Sequence, residues 1–437
     1  MRSFDIPQNQ TKTTFDWSAL SDFYTEATPY FPVAIAGAIV WGLWLYRFIL
    51  SHRARPVVND FEATTSVIVP SFHEDPDILM SALESWREQR PNEIIIVLDV
   101  DDLEAYGRIT ALEDKTIRPV LFHHVGKRSA LGAGVRLAHY DLLVLTDSDT
   151  WWKPDLLRNV QMPFADPLVG AVGTHQNVYQ RDSSIWRRVA DWMVNLRYLD
   201  YVPAMGRAGA VPCISGRTAV YRREAVMLVL EHLENEYFMG RRCISGDDGR
   251  LTWLVLASGY KTVHQSTAQA LSMFPSTFGA FVKQRVRWSR NSYRCYLTAI
   301  AMGWLWRVPF VTKVTVLQIL LTPVTMGLTV FYLIFNRLDP TPLGFGAAAC
   351  WLLLGRGNNI LDLDSAEKHD INATYAVDLG AVSGGSYVLD SPNYLPFYDY
   401  PGAVADDSED SARMGASVAS RYGADIEGPV YMTGSTW

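Results

Sequence analysis

Several things are scarce in this 437-residue chain, and each scarcity excludes a class. There are four cysteines, Cys213, Cys243, Cys295 and Cys350, spaced 30, 52 and 55 residues apart with no Cys-x-x-Cys among them. Neither a zinc module nor a disulfide framework is indicated, and a reducing compartment fits. Charged residues make up 19% and the formal net charge is -7, so the basic excess that nucleic-acid binding needs is missing and no nucleic-acid partner is expected. The acidity is local: residues 361–437 hold 13 of the 46 acidic residues and 3 of the 39 basic ones. That stretch also lacks any apolar run able to span a bilayer. Residues 358–437, rich in Asp, Gly, Ser and Tyr, read as a solvated acidic tail.

Long apolar runs occur elsewhere. Residues 30–50 carry Arg47 as their only charge, and at about 1.5 Å per residue this length crosses a hydrocarbon core of about 30 Å. No small-residue cleavage site follows, which excludes a signal peptide. His52, Arg53 and Arg55 come next, so the bias of basic residues toward the cytoplasm puts residues 1–29 outside and residue 51 onward inside. Residues 308–335 form a second run, in which Lys313 can snorkel from the cytoplasmic end. Residues 343–354 are a third, short for a full span.

Between residues 64 and 275 the pattern alternates strand and helix. Thr65–Val69 and Glu93–Leu98 are β-branched runs, and Ile78–Gln89 has helical apolar spacing between them. Gly132–His139 reads as a helix before a third strand, Asp141–Thr146. This order predicts an α/β domain with a parallel sheet, whose ligands bind beyond the carboxyl ends of the strands. Asp99 and Asp147 stand at that edge. Asp99, in Asp99-Val-Asp-Asp102, is equally well a turn residue. Asp147-Ser-Asp149 is sharper: carboxylates at i and i+2 after a buried strand suit Mg²⁺ or Mn²⁺ bridging a diphosphate. Gly126-Lys127-Arg128, just ahead of the helix, offers cations for phosphates or a plain basic turn.

Two later motifs complete the set. Gly246-Asp247-Asp248 begins a helical segment, where a carboxylate is favoured as the anion and can take a proton from a hydroxyl. Gln284-Arg-Val-Arg287-Trp288 lies in a basic, aromatic stretch whose period also fits an amphipathic helix on a membrane surface.

With these residues in order, the chain resembles the family 2 inverting glycosyltransferases of the membrane-embedded processive type. Within them it is most similar to the hyaluronan synthase and chitin-oligosaccharide synthase branch, with cellulose synthase more distant. The matching positions are Ile68-Val-Pro70 with Glu74, Asp99, Gly126-Lys-Arg128, Asp147-Ser-Asp149, Cys213-Ile-Ser-Gly216, Ser245-Gly-Asp-Asp248 and Gln284-x-x-Arg-Trp288, within residues 64–296. Gly-Asp-Asp and Arg-Trp-Ser are closer to the hyaluronan synthases.

The resemblance implies a GT-A fold, a UDP-sugar donor and a β-linked product. It implies Glu74, Asp99, Lys127, Arg128, Asp147, Gln284 and Arg287 for the donor, and Asp149 with Asp147 for Mg²⁺ or Mn²⁺. It assigns Asp248 as general base beside Asp247, and Cys213 and Trp288 to the acceptor. Two departures fall near the acceptor: Gly249-Arg250 where Arg-His is usual, and Ser215-Gly216-Arg217 where hyaluronan synthases have Ser-Gly-Pro. The expected organisation is an extracytoplasmic segment 1–29, a transmembrane helix 30–50, a cytosolic GT-A domain 51–276, interfacial helices 277–307, transmembrane helices 308–335 and 343–354, and the tail 358–437. The first reading is a multi-pass plasma-membrane polysaccharide synthase of hyaluronan type. It binds a UDP-sugar, a polysaccharide acceptor and the bilayer, with a second copy or a channel partner completing the narrow pore. The alternative is a chitin-oligosaccharide or other β-glucan synthase; the non-enzymatic one is an inactive membrane scaffold.

Overall fold

The computed structural model describes residues 31–335, with Asp22 and Thr25 and without His124. The expected short span 343–354, the tail 358–437, Cys350 and the rest of segment 1–29 lie outside the described residues. Residues 47–320 fall within one compact unit that contains the whole sheet, and residues 31–46 and 321–335 belong to a second.

The strands are β1 Thr65–Pro70, β2 Glu93–Asp99, β3 Ile117–Phe122, β4 Leu142–Thr146, β5 Thr150–Trp152, β6 Val169–Val178, β7 Thr218–Arg222, β8 Tyr237–Phe238, β9 Arg241–Arg242 and β10 Lys261–Ser272. Eight of them make one sheet in the order β3-β2-β1-β4-β7-β6-β10-β5. The first four are parallel, as the alternating pattern predicts. The sheet as a whole is mixed, because β7 runs antiparallel to both β4 and β6. This corrects the expectation of a parallel sheet. The chain returns to β4 from the far side of the domain, so Thr218 opens β7 beside Thr146, which closes β4. The two residues before β7 are thereby carried to the carboxyl edge, beside Asp147.

Both faces of the sheet are covered, and the alternation of side chains sorts the core into two layers. Ile68, Ile95, Val97, Leu143 and Leu145 lie in one buried cluster. Val67, Val69, Ile94, Ile96, Leu98 and Val144 lie in the other, with Trp86 and Trp152. Helix Pro76–Arg87 covers this second face through Leu79, Ala82, Leu83 and Trp86, its first turn capped by the Asp75 carboxylate on the Asp77 N–H.

Helix Lys127–Leu137 starts five residues before the sequence pattern predicts. Gly126, at φ 142, turns the chain straight into it. Lys127 and Arg128 are therefore first-turn residues rather than a turn ahead of the helix. Helices also occupy both long apolar stretches, Phe31–His52 and Phe310–Phe335. Among the described residues no helix is long and apolar enough to cross a membrane, so the spans read at 30–50 and 308–335 rest on sequence alone.

Candidate active site

Three carboxylates and a lysine meet at the carboxyl edge of the sheet. Asp147 leaves the end of β4, and the Lys127 Nζ donates to its Oδ1 at 2.6 Å. The same ammonium lies 3.5 Å from Asp247 Oδ2. Lys127 is mostly buried, at 16% side-chain exposure, so this contact is little screened by water. Gly216 reaches the cluster from the strand side: a Cβ there would stand 3.4 Å from Asp248 Cβ, 3.5 Å from Asp247 Oδ2 and 3.6 Å from Lys127 Nζ. The room left by its missing side chain borders both acidic motifs.

Asp247 and Asp248 open helix Asp247–Ala257, with Gly246 ahead of them at φ 72. That left-handed turn suits glycine, and three hydrogen bonds to two helices brace it. The Arg128 Nη2 donates to Gly246 O at 3.0 Å, the Arg294 Nη2 donates to Ser245 O, and Ser245 Oγ donates to Asn291 Oδ1 at 3.2 Å.

The Asp248 carboxylate accepts from the Gly249 N–H at 2.7 Å, as a helix N-terminus favours. Burial nevertheless holds its pKa above the ordinary carboxylate range, with Asp247 adding to the rise and Lys127 and Arg197 opposing it. Desolvation thus outweighs the helix end in setting the direction of the shift. A base with a raised pKa suits proton abstraction from a hydroxyl. Cys213 lies beside it, Sγ to Asp248 Oδ2 at 3.9 Å, and burial with the nearby Asp248 pushes the thiol up to about 12. It is a neutral wall, not a nucleophile.

Glu74 and Asp149 face each other across the loop after β1. Ser148 Oγ donates to Glu74 Oε2 at 2.9 Å, while burial and then the charge of Asp149 push the Glu74 carboxyl up to about 7. Like charges drawn together in a desolvated place are what a divalent cation relieves. The donors are hard oxygens, and Mg²⁺ or Mn²⁺ is often held by one or two carboxylates plus substrate phosphates. Asp149 is thus the carboxylate whose surroundings suit the ion, while Asp147 is paired with Lys127. Among the described residues no three His, Cys, Asp or Glu side chains converge into a self-sufficient cage.

The remaining predicted residues are placed as follows. Asp99 is buried at the end of β2 and its Oδ1 accepts from the Asp101 N–H at 3.1 Å, closing the turn there. Arg128 is turned inward, with Nη1 donating to Glu236 Oε2 at 2.7 Å and to Leu233 O at 3.0 Å. Helix Phe278–Ala301 carries Gln284, Arg287 and Trp288. Arg287 is half-buried, Gln284 Oε1 is buried with no hydrogen-bond partner among the described residues, and Trp288 meets Phe274 edge-on at 6.1 Å.

Sequence reasoning missed several supports: Ser148, Glu236, Asn291 and Arg294. No local signal marks them, because each acts on a residue distant in the chain. Of the departures, Gly249 lies against the two buried thiols, where a Cβ would stand 3.3 Å from Cys295 Sγ and 3.6 Å from Cys213 Sγ. Arg250 turns away to Glu236, Nε to Oε1 at 3.3 Å, with its guanidinium 5.2 Å from the Trp304 ring.

A mixed sheet with an Asp-x-Asp loop and a second acidic pair at its carboxyl edge is an architecture of GT-A type. Residues 63–291, just over half of the chain, match the family model described as Glycosyltransferase like family 2, and the chain belongs to that family. Its relatives include the N-acetylglucosaminyltransferase of Rhizobium leguminosarum bv. viciae, 31% identical over 259 residues, covering 58% of this chain and 61% of that protein. The N-acetylglucosaminyltransferase of Rhizobium meliloti (strain 1021) is 32% identical over 257 residues, covering 57% and 60%. The matches thus span about 60% of the length of these curated relatives. Among solved structures, the mannosyltransferase PcManGT from Pyrobaculum calidifontis, in complex with GDP-Man and Mn2+, has a TM-score of 0.58 at 20% identity, covering 81% of this chain and 99% of that one. At that identity the likeness is one of fold.

Proposed function

We propose that this chain transfers a sugar from a UDP-sugar to a saccharide acceptor with inversion, at the cytoplasmic face of a membrane. The observation that carries the reading is the meeting of Asp147, Lys127, Asp247 and Asp248 at one sheet edge, within 3.5 Å for each lysine contact. Lys127 cancels charge on the donor phosphates, and Asp149 would hold Mg²⁺ or Mn²⁺, which when bound neutralises charge on the leaving diphosphate. Asp248 takes the proton of the acceptor hydroxyl as its oxygen attacks the anomeric carbon from the face opposite the diphosphate. The bond to the new oxygen forms as the bond to UDP breaks, which inverts that carbon. Trp288 offers an indole face for a sugar ring, and Arg287 a guanidinium for the departing diphosphate.

For the donor, N-acetylglucosamine is favoured over hyaluronan-type alternation. Relatives named N-acetylglucosaminyltransferase support that order, whereas Gly-Asp-Asp and Arg-Trp-Ser alone argue for the other. The bilayer reading follows from the apolar stretches 30–50 and 308–335. The test is to incubate membranes containing the full chain with each UDP-sugar, singly and in pairs, with Mg²⁺ or Mn²⁺. UDP release and polymer labelling from UDP-N-acetylglucosamine alone are expected. A need for a second UDP-sugar would restore the hyaluronan-type reading, and no release from any donor would sink the enzymatic one.

A further inference from the structure

Around Trp288 the fold gathers guanidinium groups. The Arg217 Cζ stands 5.0 Å from the Trp288 ring centroid and 3.8 Å from that of Phe274. The Arg285 Cζ stands 4.8 Å from the same indole and 4.8 Å from the Phe281 ring. Two cations thus share one aromatic side chain. The Arg285 Nε and Nη2 are buried and have no hydrogen-bond partner among the described residues. Burial, then the charges of Arg217 and Arg197, bring its guanidinium down to about 10. Among the described residues, both charges acting on it are like charges.

Such an arrangement is costly by itself. Ring faces offset part of the cost through cation–π attraction, but they leave in-plane N–H groups unmet, and a buried donor without an acceptor is destabilising. A guanidinium fork in that state is complementary to a carboxylate or a phosphate.

The position of the cluster says which substrate would bring the anion. Arg217 is held at the carboxyl edge by its backbone, its carbonyl accepting from the Asp147 N–H at 3.2 Å and from Thr146 Oγ1 at 2.7 Å. Its Nη2 donates to Met273 O at 3.2 Å. Four residues earlier in the same segment, Cys213 touches Asp248, and its carbonyl accepts from the Arg197 Nη2 at 2.6 Å. The segment 213–217 therefore has the base at one end and the arginine–indole group at the other. A sugar ring lying on Trp288 with its hydroxyl toward Asp248 would have its substituents within reach of Arg217 and Arg285. The cation that pairs with the Asp147 carboxylate is a separate group, Lys127.

Resting on the transfer reading above, we propose that Arg285 and Arg217 form an oxyanion subsite beside Trp288, and that the primer which receives the first sugar carries a carboxylate or phosphate group there. Arg217 stands where the resemblance to hyaluronan synthases would put a proline.

The experiment uses membranes containing the full chain and whichever UDP-sugar gives turnover. Three acceptors of equal length are compared: a neutral N-acetylglucosamine oligosaccharide, the same oligosaccharide ending in glucuronate, and the same ending in a phosphorylated sugar. One anionic acceptor is expected to show a KM at least about tenfold below the neutral one, the scale of a charge-assisted hydrogen bond, and which of the two it is distinguishes carboxylate from phosphate. Arg285→Gln should erase the difference, Arg285→Lys should keep part of it, and UDP binding by both variants should stay within about twofold of the unmodified chain. Equal KM for all three acceptors on the unmodified chain would overturn the proposal without any variant. So would Arg285→Gln weakening UDP binding as much as acceptor binding, because the guanidinium would then serve the donor diphosphate. Turnover with the neutral acceptor but no anionic preference refutes the subsite alone, whereas no turnover with any acceptor refutes the transfer reading with it.

Discussion

Asp248 sits under two opposing influences. The Gly249 N–H and Lys127 favour its anion; burial and Asp247 disfavour it, and prevail. If it is the base, Asp248→Asn should lower transfer by about 10²–10⁴-fold, with UDP affinity retained, in paired turnover and UDP-binding measurements. Near-normal turnover would remove the assignment. The pH profile supplies a second check. A base must be unprotonated, so transfer rises with pH through the Asp248 pKa, and that limb should lie above the ordinary carboxylate range. Asp247→Asn removes a like charge, so it should move the limb of kcat to lower pH; an unmoved limb would mean that another group controls it. Asp149 answers to a different measurement. Asp149→Ala, or excess chelator, should abolish transfer, and restoration by Mn²⁺ or Mg²⁺ should follow only in the unmodified chain.

Among the elements, helix Lys127–Leu137 and helix Phe278–Ala301 do the positioning. Adjacent residues of the first have separate jobs. Lys127 faces the carboxylates, while Arg128 is paired with Glu236 at 3% side-chain exposure on both sides. Removing Arg128 leaves Glu236 with Arg250 alone, at 3.3 Å, and takes a donor from Leu233 O and Gly246 O. Arg128→Ala is thus expected to destabilise the fold by about 1–3 kcal/mol, read as a lower melting temperature. Lys127→Ala should instead weaken UDP binding with little change in melting temperature. The reverse outcome would return Arg128 to the donor phosphates, where the sequence motif had put it. The second helix joins two motifs by contact, since Trp288 lies one to two turns from Asn291, Arg294 and Cys295, which meet the Ser245–Gly249 loop.

At the scale of the molecule, residues 47–320 contain every predicted site residue and the contacts described above that arrange them. Deleting residues 361–437 is therefore expected to leave UDP binding within about twofold of the full chain; a large loss would mean that the acidic tail contributes to the donor site. The local part of all this was legible in the sequence. β-branched runs predicted β1, β2 and β4 to within a residue, because buried parallel strands must be apolar on both faces. Asp147, Asp149, Asp247 and Asp248 were legible because the chemistry needs hard oxygens at fixed short spacings next to strand and helix ends. The antiparallel course of β7 was not, since strand direction depends on how the chain returns to set Thr218 beside Thr146, 72 residues earlier. Nor was the inward turn of Arg128, which needs Glu236 to be 108 residues distant in sequence and 2.7 Å away in space. The sequence alone determined which chemical groups are present and which local segments carry them. Only the tertiary structure decided which charges face one another and how deeply, and burial is what raises the pKa of a helix-end aspartate and leaves the Arg285 Nε and Nη2 without an acceptor among the described residues.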